Sequence, residues 1–329
     1  MDAEPSVASR AVAVGSRRRP ERLPGEARRI GYLYIAPAFI LYAAFNLLPL
    51  GQGVNTSFYD WDGITPGTWV GLHNYSEFFT DPAIRAGYGH VLVLMIFYAF
   101  LPIVLGLFLA AVLSRIRIRG LTFFRLLLFL PLVITDVVTA VAWTWVYDLH
   151  GPLNTMLRAV GLGRLIPAQG WLGDFNTALP AVGIFGLWGG FGFCLILFIA
   201  GVSKIPASLY EAARVDGARA VREFFAVTLP GLRYELQVVL VLSVIGTLDT
   251  FDEIFVLTGG GPGTATTVPA YLIWRRGFQS DQVGSAAALW LTLMLIIFAV
   301  TFAINRAMER GAERWTPPPG CRSPSTTRS

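Results

Sequence analysis

The chain has 329 residues, 54% of them hydrophobic and only 14% charged, with a mean hydropathy of +0.57. A soluble domain carries about 25% charge, so this composition excludes an ordinary soluble fold and points to a membrane protein. The formal net charge of +5 and the pI near 9.4 need no nucleic-acid partner, because the positions of the basic residues account for them, and Cys194 and Cys321 do not make a disulfide framework.

Residues 1–29 hold seven arginines against four acids and no apolar run, which predicts a disordered basic tail. The first apolar segment, Ile30 to about Leu50, is too long for a signal-peptide core and lacks a small-residue cleavage site, so it is expected to persist as a helix. Further apolar segments lie near Val91–Leu113, Leu121–Tyr147, Pro180–Val202, Leu236–Leu257 and Ala286–Ile304. Each approaches or exceeds the roughly 20 residues that cross about 30 Å of hydrocarbon. The expectation is an all-α integral membrane protein with six transmembrane helices over residues 30–305 and a second tail over 306–329.

Between the first two spans, Ser57-Phe58-Tyr59-Asp60-Trp61-Asp62-Gly63 and Val70-Gly71-Leu72-His73-Asn74-Tyr75 interleave aromatics with turn residues. That composition suits a compact surface segment at a partner or lipid interface. A second loop carries Gly151-Pro152-Leu153-Asn154 and Trp171-Leu172-Gly173, and a third begins Thr258-Gly259-Gly260-Gly261-Pro262. This last glycine run reads as a turn ending a helix, since the Walker pattern is absent and the only lysine, Lys204, precedes an isoleucine.

Span four clusters Gly183, Gly186, Gly189, Gly190 and Gly192, which permit close helix packing and also leave room for a solute. The loop that follows, residues 203–233, is polar yet patterned. Pro206 suits a first helical turn; Leu209, Ala212 and Ala213 share one side; Asp216-Gly217 marks a turn, with a positive φ at Gly217. Val221, Phe224 and Phe225 repeat the spacing until Pro230 is expected to interrupt the second helix, and Gly231 to loosen the entry to span five. On span five, Ser243, Gly246, Thr247 and Thr250 fall on one face, with Leu242 and Ile245 on the other. Such a stripe is either hydrogen-bonded packing or the wall of a wet cavity.

Of 26 lysines and arginines, 21 fall in the two tails, the turn 114–120 with Arg125, and loop 203–235. The positive-inside rule therefore predicts a multi-pass protein of the plasma (inner) membrane with both termini and loop 203–233 cytoplasmic, and 51–88, 148–176 and 258–283 outside. Chemistry is sparse. His73, His90 and His150 are widely separated and lack metal-ligand spacing, and no Gly-x-Ser-x-Gly elbow occurs, so neither a metal site nor a catalytic residue is expected. Asp136, Asp249, Asp252 and Glu253 are costly in lipid. A pathway or subunit-interface role is the default for Asp136, Asp249 leans toward a buried position, and Asp252 and Glu253 fit equally well near the outer surface.

Glu211-Ala212-Ala213, followed by Asp216-Gly217-Ala218 and closed by Thr228-Leu229-Pro230, resembles the EAA loop of binding-protein-dependent ABC importers. Val70-Gly71-Leu72-x-Asn74-Tyr75, Phe124-Arg125 with Leu130-Pro131, Thr258-Gly259-Gly260-Gly261-Pro262 and Thr267-Val268-Pro269-Ala270 are similar to the maltose and glycerol-phosphate type sugar permeases, over about residues 30–305. The resemblance implies a transmembrane permease subunit and not an enzyme. It would work with a second related permease, an ABC ATPase dimer and an extracytoplasmic sugar-binding protein, with ATP and Mg on the ATPase and no cofactor on this chain. It assigns ATPase coupling to Glu211, Ala212, Ala213, Asp216, Gly217 and Ala218, and the substrate path to Ser243, Gly246, Thr247 and Thr250; Gly186 and Gly190 are further path candidates. The rival reading is an ion-gradient-driven secondary transporter using the intramembrane acids; it leaves the ordered loop unexplained, and no internal repeat is evident. A membrane enzyme or scaffold is a third, without any catalytic constellation to support it.

Overall fold

Three of the prolines that fall inside helices, Pro49, Pro102 and Pro230, are each preceded by a widened π turn, whereas Pro37 sits in α-helix without one. In the computed structural model, which describes residues 28–113, 126, 128 and 130–313, the π turns are Ala43–Leu47, Ile96–Phe100 and Phe224–Thr228. In each, the residue just before the proline donates its N–H five residues back: Leu48 to Ala43, Leu101 to Ile96 and Leu229 to Phe224. A proline ring clashes with the carbonyl four residues earlier and cannot bond to it, and the wider turn moves that carbonyl aside. Pro230 therefore does not interrupt its helix, contrary to expectation. The helical run Ala220–Gly231 continues through it, and the chain bends by 71° only before Arg233–Leu248. A Cβ on Gly231 would meet Ile205 at 2.6 Å, so this glycine permits close approach beside the bend.

The chain divides at Gln52 into two units. The first contains α1 (Arg28–Tyr42), its π turn and the start of α2 (Leu48–Thr56). The second begins with the end of α2 and continues with a two-stranded hairpin, β1 (Tyr59–Asp60) paired antiparallel with β2 (Thr68–Trp69), followed by α3 (His73–Thr80), α4 (Pro82–Met95) and α5 (Leu101–Leu113). Asp81 caps α4 by accepting from the Ala83 N–H at 2.7 Å, with Pro82 in the first turn. Then come α6 (Asp136–Tyr147), α7 (Pro152–Ala159), α8 (Ala178–Val202), α9 (Ala207–Val215), α10 (Ala220–Glu223) and α11 (Leu229–Gly231). The chain closes with α12 (Arg233–Leu248), α13 (Asp252–Leu257), α14 (Pro269–Phe278) and α15 (Val283–Glu313).

Four helices among the described residues are long and apolar enough to cross a bilayer: Tyr32–Thr56, Pro82–Leu113, Ala178–Val202 and Val283–Arg310. The bent pair Ala220–Gly231 and Arg233–Leu248 makes a fifth if counted as one span. The expected third segment is not one helix. Part of it lies outside the described residues, and the β-branched run Val133-Ile134-Thr135 leads into a break at Ile134–Thr135 before α6 starts at Asp136. The expected fifth segment likewise breaks at Thr250–Phe251, between α12 and α13. The last helix runs past Ile304 to Glu313, carried by helix formers that include Arg306, Ala307, Met308 and Arg310. Residues 1–27, the turn 114–120, Phe124-Arg125 and 314–329 lie outside the described residues.

The two larger apolar clusters among the described residues join most helices of the second unit, and a smaller one gathers Ile84, Leu272 and Leu289. One of the larger two gathers Val91, Leu94, Phe185, Leu248, Ile254 and Leu293, tying α4, α8, α12, α13 and α15 together. The other joins Ala110 of α5 to Cys194, Leu195 and Phe198 of α8 and to Val239 of α12. Gly106 lets α5 and α8 approach closely, for a Cβ there would stand 3.0 Å from that of Cys194.

Candidate functional site

The breaks in the third and fifth segments make a cavity. It has a volume of about 500 Å³ and is walled by Pro131–Val137 and Thr139, by Phe185–Gly190 without Leu187 and with Phe193, by Tyr98, and by Leu242, Ser243, Gly246, Thr247, Asp252 and Glu253. Asp136 occupies the first turn of α6, and Asp252 and Glu253 that of α13. A helix N-terminus carries partial positive charge, so these carboxylates sit where the backbone favours them. This is a physical reason why three acids can share one largely apolar wall. Asp249, expected to lean toward burial, is exposed and absent from the lining, because it follows the last turn of α12.

Of the six residues considered for a substrate path, the lining includes Ser243, Gly246, Thr247, Gly186 and Gly190. Thr250 is not among them. The helical spacing stops at Leu248, and Thr250 turns inward, buried, its hydroxyl donating to the Gly246 carbonyl at 3.1 Å. Leu242, expected on the opposite side, does line the cavity, because it precedes Gly246 by four residues and shares its face. Thr247 is fully buried and donates to the Ser243 carbonyl at 2.7 Å, so its hydroxyl offers the cavity only an acceptor. The glycines of α8 divide in role. A Cβ on Gly183 or Gly186 would overlap the rings of Phe97 or Tyr98, whereas Gly189 faces open space. Tyr98, stacked into the Gly186 gap, brings a buried hydroxyl with no hydrogen-bond partner among the described residues. Sequence pattern alone missed this residue, since a tyrosine in an apolar run carries no periodic signal.

Loop 203–233 folds as two short helices. Glu211, Ala212 and Ala213 lie on α9, and Pro206 is its N-cap residue, one place before the expected position. Asp216 follows α9 as C-cap, Gly217 adopts φ +74°, and Ala218 donates back to Ala213 at 2.9 Å while Gly217 donates to Arg214 at 3.0 Å. This pair of bonds is a Schellman closure, which needs the left-handed residue that glycine supplies at least cost. Glu211, Ala212, Asp216 and Gly217 are exposed; Ala213 and Ala218 are half-buried. Around them stand exposed Leu209, Val215, Val221 and Phe225. The loop is braced from within by Arg214 against buried Glu223 at 3.4 Å, and by the Tyr210 and Thr228 hydroxyls, which share a hydrogen bond of 3.2 Å. Glu223 was legible only as an acid set among Val221, Phe224 and Phe225.

On the opposite ends of the helices, polar side chains fasten the loops. Asn154, fully buried, donates to the Asp148 carbonyl and accepts from the Trp171 indole, both at 2.8 Å. Thr267 donates to the Gly260 carbonyl at 3.1 Å, and His90 donates from Nδ1 to the Thr267 carbonyl at 2.8 Å. Among the described residues, no group of three or more His, Cys, Asp or Glu side chains is arranged to hold a metal ion.

Residues 78–314 match the sequence profile of the binding-protein-dependent transport system inner membrane component. The chain is 36% identical over 277 residues to the probable ABC transporter permease protein YurN of Bacillus subtilis, covering 82% of this chain and 92% of that one. It is 35% identical over 270 residues to the multiple sugar-binding transport system permease protein MsmF of Streptococcus mutans, covering 81% and 91%. In fold it is similar to a chain of the bacterial alginate ABC transporter solved with an alginate pentasaccharide-bound periplasmic protein, with a TM-score of 0.71 at 22% identity, covering 86% of this chain and 94% of that one. A helix-break cavity and a Schellman-closed loop helix are thus carried by a chain that belongs to the family of binding-protein-dependent transport system inner membrane components.

Proposed function

We propose that this chain is one of two permease subunits of an ATP-driven importer, forming half of the path for a carbohydrate handed over by an extracytoplasmic binding protein. The observation that carries the reading is the pairing of a solute-sized cavity with an exposed, internally braced helix hairpin in loop 203–233. The relatives named for sugar transport give the solute class, and the alginate importer's periplasmic partner gives the delivery mode. Family membership gives no support to an ion-gradient carrier.

In this reading six spans cross the membrane, the third and fifth being broken helices that open onto the cavity. Both termini and loop 203–233 are cytoplasmic, following the segregation of 21 of 26 basic residues. Residues 30–305 form the permease domain, flanked by tails at 1–29 and 306–329. The helix bearing Glu211, Ala212 and Ala213, with Asp216, Gly217 and Ala218 closing it, docks on a separate ATPase subunit that binds ATP and Mg. Ser243, Gly246, Thr247, Gly186 and Gly190 border the path, and Thr250 supports it from behind. Nucleotide-driven closure of the ATPases biases the equilibrium between inward- and outward-facing states through the docked helices.

The test reconstitutes this chain with its sister permease, ATPase and binding protein. Glu211→Lys should leave the complex assembled while sugar-stimulated ATP hydrolysis and uptake fall together. Normal uptake in that variant at normal membrane levels sinks the coupling assignment.

A further inference from the structure

Tyr98 apart, every ionisable side chain that lines the cavity is a carboxylic acid. Asp136, Asp252 and Glu253 contribute carboxyl groups, and among the described residues no lysine, arginine or histidine joins the wall. The remaining polar groups are few: Ser243, the back-bonded Thr247 and the unpartnered, buried Tyr98 hydroxyl. The Tyr98 oxygen has almost no accessible surface, so the carboxyl groups and Ser243 are the polar side chains that a solute in the cavity meets.

We infer that this half of the path carries a negative potential, and that the importer passes carbohydrates that are uncharged or bear an amine while rejecting those bearing phosphate, sulfate or carboxylate. The inference deepens the proposed function and rests on reading the cavity as the solute path. An anionic sugar needs compensating guanidinium, ammonium or helix N-terminal groups where water is scarce. Here the α6 and α13 N-termini already face the protein's own carboxylates, so an anion would meet like charge. A neutral sugar instead meets acceptors, since carboxylates accept from its hydroxyls and Ser243 supplies a hydroxyl that both donates and accepts. An amine gains attraction as well.

The test uses charge-matched thiol reagents on the reconstituted complex. Gly189 lines the cavity and faces open space, so Gly189→Cys introduces a reporter without a clash. Cys321→Ser removes the tail thiol, and buried Cys194 stays as the background of the parent protein. Rates with trimethylammonium-ethyl and sulfonato-ethyl methanethiosulfonate are each divided by the rate with a free thiol in solution. The expected result is at least a tenfold preference for the cation, falling threefold or more when Asp136→Asn and Glu253→Gln are added. Asp252→Asn alone, at an exposed position, serves if that double variant does not insert. A ratio of three or less, or a higher one that neutralisation leaves unchanged, overturns the charge inference and leaves the path reading intact. Reaction with neither reagent in any nucleotide state overturns the path reading itself, and the inference with it. In the same vesicles, transport of glucuronate or glucose 6-phosphate within threefold of the best neutral sugar overturns the solute class; background rates are expected.

Discussion

Asn74 reaches back to Tyr59, donating from Nδ2 to its carbonyl and to that of Ser57, each at 2.9 Å, from a position only 5% exposed. The neighbouring Tyr75 hydroxyl shares a hydrogen bond of 2.6 Å with Ser57. The motif that ends in Asn74-Tyr75 is therefore a clasp on the β1–β2 hairpin. Asn74→Ala leaves two carbonyls short of a donor, and Asn74→Asp sets a carboxylate against them. Buried polar groups left unpaired cost about 1–3 kcal/mol each. We expect Asn74→Asp to be the worse variant and to speed protease cutting between Asp60 and Thr68, with the membrane level little changed. Equal cutting in wild type and both variants refutes the clasp.

Arg276 of α14 makes a second clasp, bonding Glu77 of α3 and Asp81 at the start of α4. Ser285 of α15 donates to Glu77 at 2.7 Å, so four segments meet there. Arg276 is 12% exposed and its two acids about 30%, which places the pair between surface and buried limits. Arg276→Ala should lower stability by about 2 kcal/mol, part of it from uncompensated carboxylates. Arg276→Lys should recover less than half, since a point charge does not span two acids as a guanidinium fork does. Adding Glu77→Gln to Arg276→Ala should restore some thermal stability in detergent. Strict additivity would mean that no coupling exists.

Much of the helical architecture is legible because long apolar runs are a coarse signal. The helix hairpin at Glu211 and the positive φ at Gly217 followed from Gly and apolar spacing, which act locally. What escaped is long-range or is set by backbone breaks. The end of α12 at Leu248 leaves composition unchanged, so helical spacing carries Thr250 onto the lined face when the chain in fact turns it inward, while Leu242 shares the lined face through its i, i+4 relation to Gly246. Pro230 looked like a stop because the π turn that accommodates it has no compositional mark. Arg276 and Glu77 lie 199 residues apart, and no periodicity links them.

Asp62 gives the hairpin tip a pH dependence. Its carboxylate accepts from the Ile64 and Thr65 amides at 2.9 and 2.7 Å and from the Thr65 hydroxyl at 2.8 Å. These bonds, led by that from Ile64, hold its pKa below the usual carboxylate range. A depressed acid contributes order that is full above its unfolded pKa and is lost as pH falls through the lower folded value. The tip should therefore keep its order down to the ordinary carboxylate range and loosen only below it. Amide exchange at Ile64 and Thr65, corrected for intrinsic rates, should rise there in wild type but already be high at neutral pH in Asp62→Ala.

Gly217 separates geometry from space. A Cβ there meets nothing within 4 Å, so any penalty comes from its φ of +74°. Gly217→Ala should cost about 1 kcal/mol of local order, and Gly217→Asn less, since asparagine tolerates the left-handed region. Gly217→Pro is of another kind, because it fixes φ near −65° and removes the N–H that bonds Arg214 at 3.0 Å. Uptake should rank asparagine above alanine and alanine above proline, at matched membrane levels. Equal uptake in all three would show that the loop closure has no part in coupling.

Gly246 is the place to block the cavity. It is exposed, lines the wall, and a Cβ there meets nothing within 4 Å. Thr247 is a poorer choice, for it is fully buried and a large residue would disturb the packing behind it before filling the path. We expect Gly246→Trp to insert and assemble normally, to abolish uptake, and to retain part of the ATP hydrolysis stimulated by the binding protein. Thr250→Trp should instead lose protein, because Thr250 is 4% exposed and lies outside the lining. A cysteine scan sharpens the test. Leu242→Cys, Ser243→Cys and Gly246→Cys should react with a small water-soluble thiol reagent in at least one nucleotide state, while Thr250→Cys stays protected. Reaction of Thr250→Cys with protection of the other three would mean that the solute passes the far side of α12. Normal uptake in Gly246→Trp would mean that this cavity is not on the path at all.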